Sequence, residues 1–415
     1  MSILFSNNKI KFFFLILVLL IAFYKSPFIF INGRFVAEEG SFFFRNSYIY
    51  GSIIGLFQIN FDYGYFNFWA NLSSVVATFV PLEYAPLITV YFAFVVKIYL
   101  FVFILFQNSD LFDKLYQKLL SVIIILASPP MVAEVWLNTL TSQVYFTILS
   151  IFIFFQRENK SLLANLSPVV LVIASLSTLT TCILTPFFLI KYLIKKTKNN
   201  LINFFAILFG TFAQLIIYFY IQIQNLELSG RYFISFEKIV SFTYNVIVKS
   251  LFGRDLTQYI YFNYLEKLNL LFLSFLILIL ISTFFFFITK NAFKNKTLLF
   301  LLFIFVTECL LSFLGAKDDQ VQGRYALLPS IILLLILVKS LDDNKLFIKF
   351  FSFLFIFISI TTGFYEYKNN NKYPQFLLCL GCPDWKEEVS KWKNDINYEL
   401  KIWDYSTQKK MNLKK

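Results

Sequence analysis

The chain has 415 residues, 58% of them hydrophobic and 15% charged, with a mean hydropathy of +0.69. Soluble domains carry roughly 25% charged residues, so a soluble fold has nowhere to bury this much Phe, Ile and Leu. The formal net charge of +13 sits largely in short connectors such as Lys191–Lys198. That distribution fixes membrane orientation and does not point to nucleic acid.

The sequence contains no histidine, which removes the usual neutral-pH base and the commonest metal ligand. Acid–base or metal chemistry must therefore rest on carboxylates, lysines or tyrosines. Phe, Ile, Lys and Asn are the residue types that AT-rich codons favour, so the 57 Phe are given no functional weight.

Apolar runs near 20 residues, separated by polar connectors, match a hydrocarbon slab about 30 Å thick. The N-terminus places Lys9 and Lys11 before the apolar stretch Phe12–Tyr24, like a signal peptide, but no small-residue cleavage site follows. It reads as an uncleaved first span. Spans are predicted over 11–31, 84–106, 118–137, 140–156, 162–179, 181–195, 201–221, 269–289, 298–315, 324–341 and 346–365. The expectation is an all-α polytopic membrane protein with about eleven transmembrane helices.

With that count, the basic connectors fall on one side: the N-terminus, 107–117, Arg157–Lys160, Lys191–Lys198, Lys290–Lys296 and Lys339–Lys345. That side is assigned as cytoplasmic. The opposite face receives 32–83, the turn at 138–140, 222–268, 316–323 and the tail. The division predicted is a multispan domain over 1–365 and a small extracytoplasmic cap over 366–415. The cap carries Trp385, Trp392 and Trp403 among many charges.

The first extracytoplasmic loop, 32–83, is no plain connector. Phe68, Trp69, Leu72, Val75, Val76 and Phe79 recur at helical spacing opposite Asn67, Asn71, Ser73 and Ser74, which predicts an interfacial amphipathic helix over 66–80. Residues 41–57 suggest a second. Cys182 and Cys309 fall inside spans as small packing residues. Cys379 and Cys382, in CLGC, face an oxidising compartment and predict a local disulfide. No internal repeat, Walker motif or dinucleotide glycine pattern is present.

Three polar clusters share the extracytoplasmic face. The first is Arg34, Glu38, Glu39 and Arg45. The second is Glu134, Trp136, Asn138 and Gln143. The third is Lys317, Asp318, Asp319, Arg324 and Tyr325. Glu308 lies about two turns inside the ninth span, where an ionisable group marks a functional position by default. Any one charged residue at a span end is ordinarily just solvated; three clusters facing one compartment point to a site. Carboxylates can activate a hydroxyl or hold a divalent cation such as Mg or Mn. Arginines can grip a phosphate bidentately.

The order of these features resembles the GT-C superfamily of integral-membrane glycosyltransferases, and more narrowly an uncharacterised bacterial multispan branch. The stretches that carry the resemblance are Arg34-Phe-Val-Ala-Glu38-Glu39-Gly40, Asp62-Tyr63-Gly64-Tyr65, the pattern Glu134, Asn138, Gln143, LTTCILTPFF around Pro186, and Gly323-Arg324-Tyr325 through Pro329. They run through nearly the whole chain, although each alone is weak. Such enzymes often show an Asp in the first loop, where this chain has Glu-Glu.

The resemblance implies transfer of a sugar from a polyprenyl-phosphate donor to a glycan, lipid or protein acceptor at the outer face of a bacterial inner membrane. It implies Glu39 or Glu38 as general base or cation ligand, with Glu39 narrowly preferred. Arg324 would hold the donor phosphate with Lys317 or Arg34, while Asn138 and Gln143 would hold sugar or acceptor hydroxyls. Glu134, Asp319, Tyr325 and Arg45 complete the expected binding set, and the 66–80 helix would guide the lipid tail. The competing readings are a lipid-linked saccharide flippase or transporter, an O-antigen polymerase or ligase, and a non-catalytic scaffold of envelope assembly.

Overall fold

A computed structural model describes residues 2–61, 64–129, 135–224, 234–263, 283, 286–290, 292–293, 295–316, 321, 323–368, 382–403 and 409–414. Among these the fold is all-α. The one two-stranded ribbon pairs Leu400–Lys401 antiparallel with Lys410–Met411.

The chain opens with α1 (Ser2–Lys25) and α2 (Pro27–Asn32), the latter started by a proline whose missing N–H costs nothing there. The first loop then folds on itself. A π-helical turn, Glu39–Phe44, runs into α3 (Arg45–Tyr50), α4 (Ser52–Phe57) and α5 (Phe68–Ala77). Next come α6 (Ala85–Phe106), α7 (Leu115–Ala127), α8 (Gln143–Phe154), α9 (Leu162–Ser177), α10 (Leu179–Cys182), α11 (Thr185–Ile194) and α12 (Lys198–Ile223). The short α13 (Phe236–Phe242), α14 (Lys249–Phe252) and α15 (Arg254–Asn263) precede three longer helices. These are α16 (Lys296–Gly315), α17 (Arg324–Ser340) and α18 (Leu346–Lys368); the cap helix α19 (Trp385–Asn394) follows.

Among the described residues four helices, not about eleven, are long and apolar enough to cross a membrane: Leu82–Phe106, Lys198–Ile223, Lys296–Gly315 and Leu346–Tyr365. The reason is helix length. At about 1.5 Å per residue, α7, α8, α9 and α11, with 13, 12, 16 and 10 residues, fall short of a 30 Å core on their own. In α1, Lys11 and Lys25 bound an apolar stretch of only about 20 Å. The predicted pair 162–179 and 181–195 breaks at Thr178, which is extended (φ −156, ψ 136) and whose hydroxyl caps the Thr180 N–H. Most of the predicted span 269–289 lies outside the described residues.

At the centre stands α17, buried continuously from Ala326 to Ser340. A helix apolar all round belongs in an interior, and α16, α18, α7 and α8 surround it. The two ends of the bundle separate as the charge pattern predicts. At one end the basic connectors are bound together: Lys114 pairs with Asp342 at 2.7 Å, and Arg157 bridges Asp110 and Asp113, both at 2.6 Å. At the other end gather the first loop, the 135–142 turn, the start of α17 and the C-terminal cap.

The cap docks on the first loop. Trp385, Val389, Leu400, Ile402, Met411 and Leu413 bury a small core with Phe35, Phe44, Ala77, Leu82 and Ala85. Trp385 donates its indole N–H to the Leu82 carbonyl at 2.8 Å and meets Phe35 edge to face at 5.1 Å. Backbone bonds from Ala37 N–H to the Trp403 carbonyl (2.9 Å) and from Trp403 N–H to the Phe35 carbonyl (3.1 Å) fix the register. Gly40 is required here because a Cβ would lie 2.9 Å from Phe35 Cβ and 3.3 Å from Ile402 Cδ1. Cys382 is disulfide-bonded; its expected partner, Cys379, lies outside the described residues. Cys182 and Cys309 are free thiols.

The helix expected over 66–80 forms as α5, but its polar side does not face water. Asn71, Ser73 and Ser74 are buried, and Asn71 donates to the carbonyls of Leu56 and Gln58 at 3.0 and 2.9 Å. Trp69 in turn donates to the Phe92 carbonyl. The apolar surface of the loop lies instead on α3 and α4, where Tyr50, Ile53, Ile54 and Phe57 are exposed.

Candidate functional site

A cleft of about 160 Å³ opens where the first loop meets the bundle. Its polar wall is built by Glu38, Tyr65, Gln143, Thr180, Arg324 and Tyr325, and its apolar wall by Val144, Leu179, Leu311 and Leu328. Four elements converge. The π-turn brings Glu38, the start of α8 brings Gln143, the start of α17 brings Arg324 and Tyr325, and the loop before α5 brings Tyr65. Tyr65 is held there because Gln214 of α12 clamps its neighbour Phe66, accepting from the backbone N–H at 3.0 Å and donating to the carbonyl at 2.8 Å.

Gln143 donates to the Tyr65 hydroxyl at 2.7 Å. The Arg324 guanidinium lies over the Tyr325 ring, 5.1 Å from its centroid. Glu38 is ion-paired with Lys409, which reaches in from the cap. Thus, among the described residues, a carboxylate, a guanidinium, an ammonium and several hydroxyl and amide groups share a small space with an apolar side.

Glu39 does not line this cleft. It is fully buried, and its Oε1 accepts from the Thr139 N–H at 2.9 Å and the Thr139 hydroxyl at 2.6 Å. Its Oε2 has no hydrogen-bond partner among the described residues. Burial raises its pKa above the ordinary glutamate range, against the lowering effect of the Thr139 bonds and the Arg34 charge. Arg34 is likewise buried, donating to the Trp136 carbonyl at 2.7 Å and lying over the Trp403 ring. Together, Arg34 and Glu39 tie the first loop to the 135–142 turn.

The remaining expected residues divide. Arg45 donates to the Asn412 carbonyl at 2.9 Å, so it anchors the cap rather than the cleft. Asn138 shapes the turn, its side-chain oxygen accepting the Leu140 N–H at 2.8 Å. Glu134, Lys317, Asp318 and Asp319 lie outside the described residues. Lys409 was not foreseen. The parallel bridge between Val36 and Trp403 carries it there, and nothing in the local sequence signals a contact across 371 positions. Thr139, also unforeseen, sits between the noted Asn138 and Gln143.

Two strained backbone positions bracket the site. Among the described residues, Ala37 (φ 49) and Leu137 (φ 53) are the only non-glycines with positive φ. Each costs about 1–3 kcal/mol, and such residues concentrate at functional sites. One precedes Glu38 and the other precedes Asn138 and Thr139, and the Glu39–Thr139 bonds join the two segments.

Among the described residues no group of three Cys, Asp or Glu is placed to hold a metal ion. Glu38 is the one carboxylate among the cleft's described lining residues, and it already pairs with Lys409. Mg is commonly held by one or two carboxylates together with substrate phosphate and water, and Glu38 is the one described lining residue able to supply such a ligand. Comparison with protein-family models, curated proteins and solved structures finds no match to this chain.

Proposed function

We propose that the protein is a membrane-embedded glycosyltransferase of the GT-C type, acting on a polyprenyl-phosphate-linked sugar. The observation that carries this reading is the cleft itself. A carboxylate, Glu38, shares it with a guanidinium, Arg324, hydroxyl- and amide-bearing side chains, and an apolar wall. In this reading the bundle crosses a bacterial inner membrane, with the Lys114–Asp342 and Arg157 end cytoplasmic and the cleft extracytoplasmic. The long helices cross fully, and the shorter apolar helices complete the spans with their neighbours. Tyr50, Ile53, Ile54 and Phe57 rest at the membrane surface.

The chemistry follows from the groups present. Arg324 grips the donor phosphate, and the apolar wall takes the first isoprene units. Gln143 and Tyr65 hold sugar hydroxyls. Glu38 removes the proton from the acceptor hydroxyl as its oxygen bonds to the anomeric carbon, while the carbon–oxygen bond to the phosphate breaks and polyprenyl phosphate departs. Lys409 holds the carboxylate in place before the acceptor arrives. The acceptor is a glycan, lipid or protein hydroxyl.

Glu38→Gln lowers transfer by about 10²–10⁴-fold, the usual weight of a general base, with expression and membrane insertion unchanged. Arg324→Ala raises KM for the lipid-linked donor. Full activity in purified Glu38→Gln overturns the assignment.

A flippase is the second reading, and one observation favours it. Glu308 of α16 is fully buried, and neither carboxylate oxygen has a hydrogen-bond partner among the described residues. Intramembrane carboxyls of this kind serve proton relays in transporters.

A further inference from the structure

We infer that the opposite end of the bundle carries a binding pocket for the phosphate headgroup of an anionic phospholipid. A pocket of about 150 Å³ lies where α9 and α12 begin. These two helices run parallel. Residues near both starts, Asn165 and Asn203, line the same pocket, and further along Gly210 packs on Ser175 so closely that a Cβ would fall 2.1 Å from its hydroxyl. The first turns of two helices therefore border one cavity, where their partial positive charges add.

Some donors in the lining have no partner among the described residues, and others keep N–H groups to spare. Asn203 is nine-tenths buried, yet it lines the pocket and its side chain makes no hydrogen bond among the described residues. Asn165 and Asn199 are exposed and bring further amides to the rim. Asn200 donates one amide N–H to the Lys195 carbonyl at 2.9 Å, which leaves its second N–H to donate elsewhere. Lys191 is fixed by the carbonyls of Phe154 and Gln156, which engage two of its three N–H groups. Arg157 is held by Asp110 and Asp113 through Nε and Nη2, leaving further N–H groups. In the lining two cations, Arg157 and Lys191, stand against one acid, Glu158.

The surface leading away from the pocket identifies the source of the phosphate. Ile202 lines its edge, and Phe205, Phe209 and Phe212 of α12 continue as an exposed apolar stripe beside Leu162, Leu166 and Val169 of α9. A polar, cationic pocket at the head of an apolar stripe matches an amphiphile with a phosphate head and acyl tails. Anionic lipids are attracted to basic segments at this surface. The assignment rests on the membrane placement and not on glycosyl transfer, so the two can fail separately.

The test uses the full-length protein in nanodiscs containing equal phosphatidylcholine and phosphatidylglycerol. After extraction into detergent, retained lipids are counted by native mass spectrometry. Wild type retains phosphatidylglycerol over phosphatidylcholine by roughly tenfold, equivalent to about 1.4 kcal/mol. Asn203→Leu and Asn199→Asp bring the ratio close to one. Asn199→Asp also places an acid in a first helical turn, which favours the helix, so its loss of lipid is not a loss of folding. Equal retention of both lipids by wild type overturns the proposal, as does full preference in Asn199→Asp. Displacement of phosphatidylglycerol by millimolar glycerol 3-phosphate also overturns it, in favour of a soluble phosphate ligand.

Discussion

At position 39, burial and hydrogen bonding act in opposite directions on one carboxyl, and burial prevails, raising its pKa. The folded state therefore holds this proton more tightly than the unfolded chain. The resulting stability is complete below the ordinary glutamate range and is lost as pH rises through the higher folded value. Glutamine at this position keeps an oxygen for Thr139 and cannot ionise. Glu39→Gln should gain stability relative to wild type as pH rises, and unfolding midpoints at pH 5 and pH 8 measure the difference. A constant offset between the two proteins contradicts this reading. Glu39→Ala should cost about 1–3 kcal/mol at either pH, because the Thr139 N–H loses its acceptor in a dry interior. One residue away, Glu38 faces the cleft, and under the proposed function its replacement should act on turnover rather than on folding.

Between elements, the closest approach among the described glycines is that of α18 to the end of α7. A Cβ on Gly363 would lie 1.7 Å from the Ala127 carbonyl oxygen, and a backbone atom cannot swing aside as a side-chain tip can. Gly363→Ala should destabilise by about 1–3 kcal/mol through overpacking, read as a lowered unfolding midpoint in detergent. The cap forms a second junction with a different consequence. Its docking through Trp385 and Trp403 positions Lys409 against Glu38, so loosening it alters the cleft without disturbing the bundle. Trp385→Ala deletes the group that fills the space between Phe35 and Leu82. It should cost about 3–5 kcal/mol of local stability, seen as protease sensitivity confined to the C-terminal segment.

Across the whole molecule, the lysine and arginine pattern carried the most structural information. It separated connectors from loops, and 107–117, 157–160, 191–198 and 339–345 do meet at one end, away from the first loop and the cap. Four of the expected site residues, Glu38, Gln143, Arg324 and Tyr325, also converge on the cleft. They were legible because polar residues bordering apolar runs gather at the same end of a bundle. The number of full crossings was not legible. Hydropathy sees apolar runs but not where a helix stops, and Thr178 ends one through its own side-chain cap. Nor could the sequence divide Glu38 from Glu39, since the π-turn that sends them to different surroundings is set by the docking of Gly40 on Phe35 and Ile402.

Transfer of a lipid-linked sugar in this cleft can be followed with purified protein in liposomes and a defined polyprenyl-phosphate sugar. Product formation and lipid translocation are followed in the same sample. The account predicts release of polyprenyl phosphate coupled to sugar transfer, abolished by Glu38→Gln and insensitive to Glu308→Gln. Donor that crosses the bilayer intact, with no sugar released and with dependence on Glu308, contradicts it.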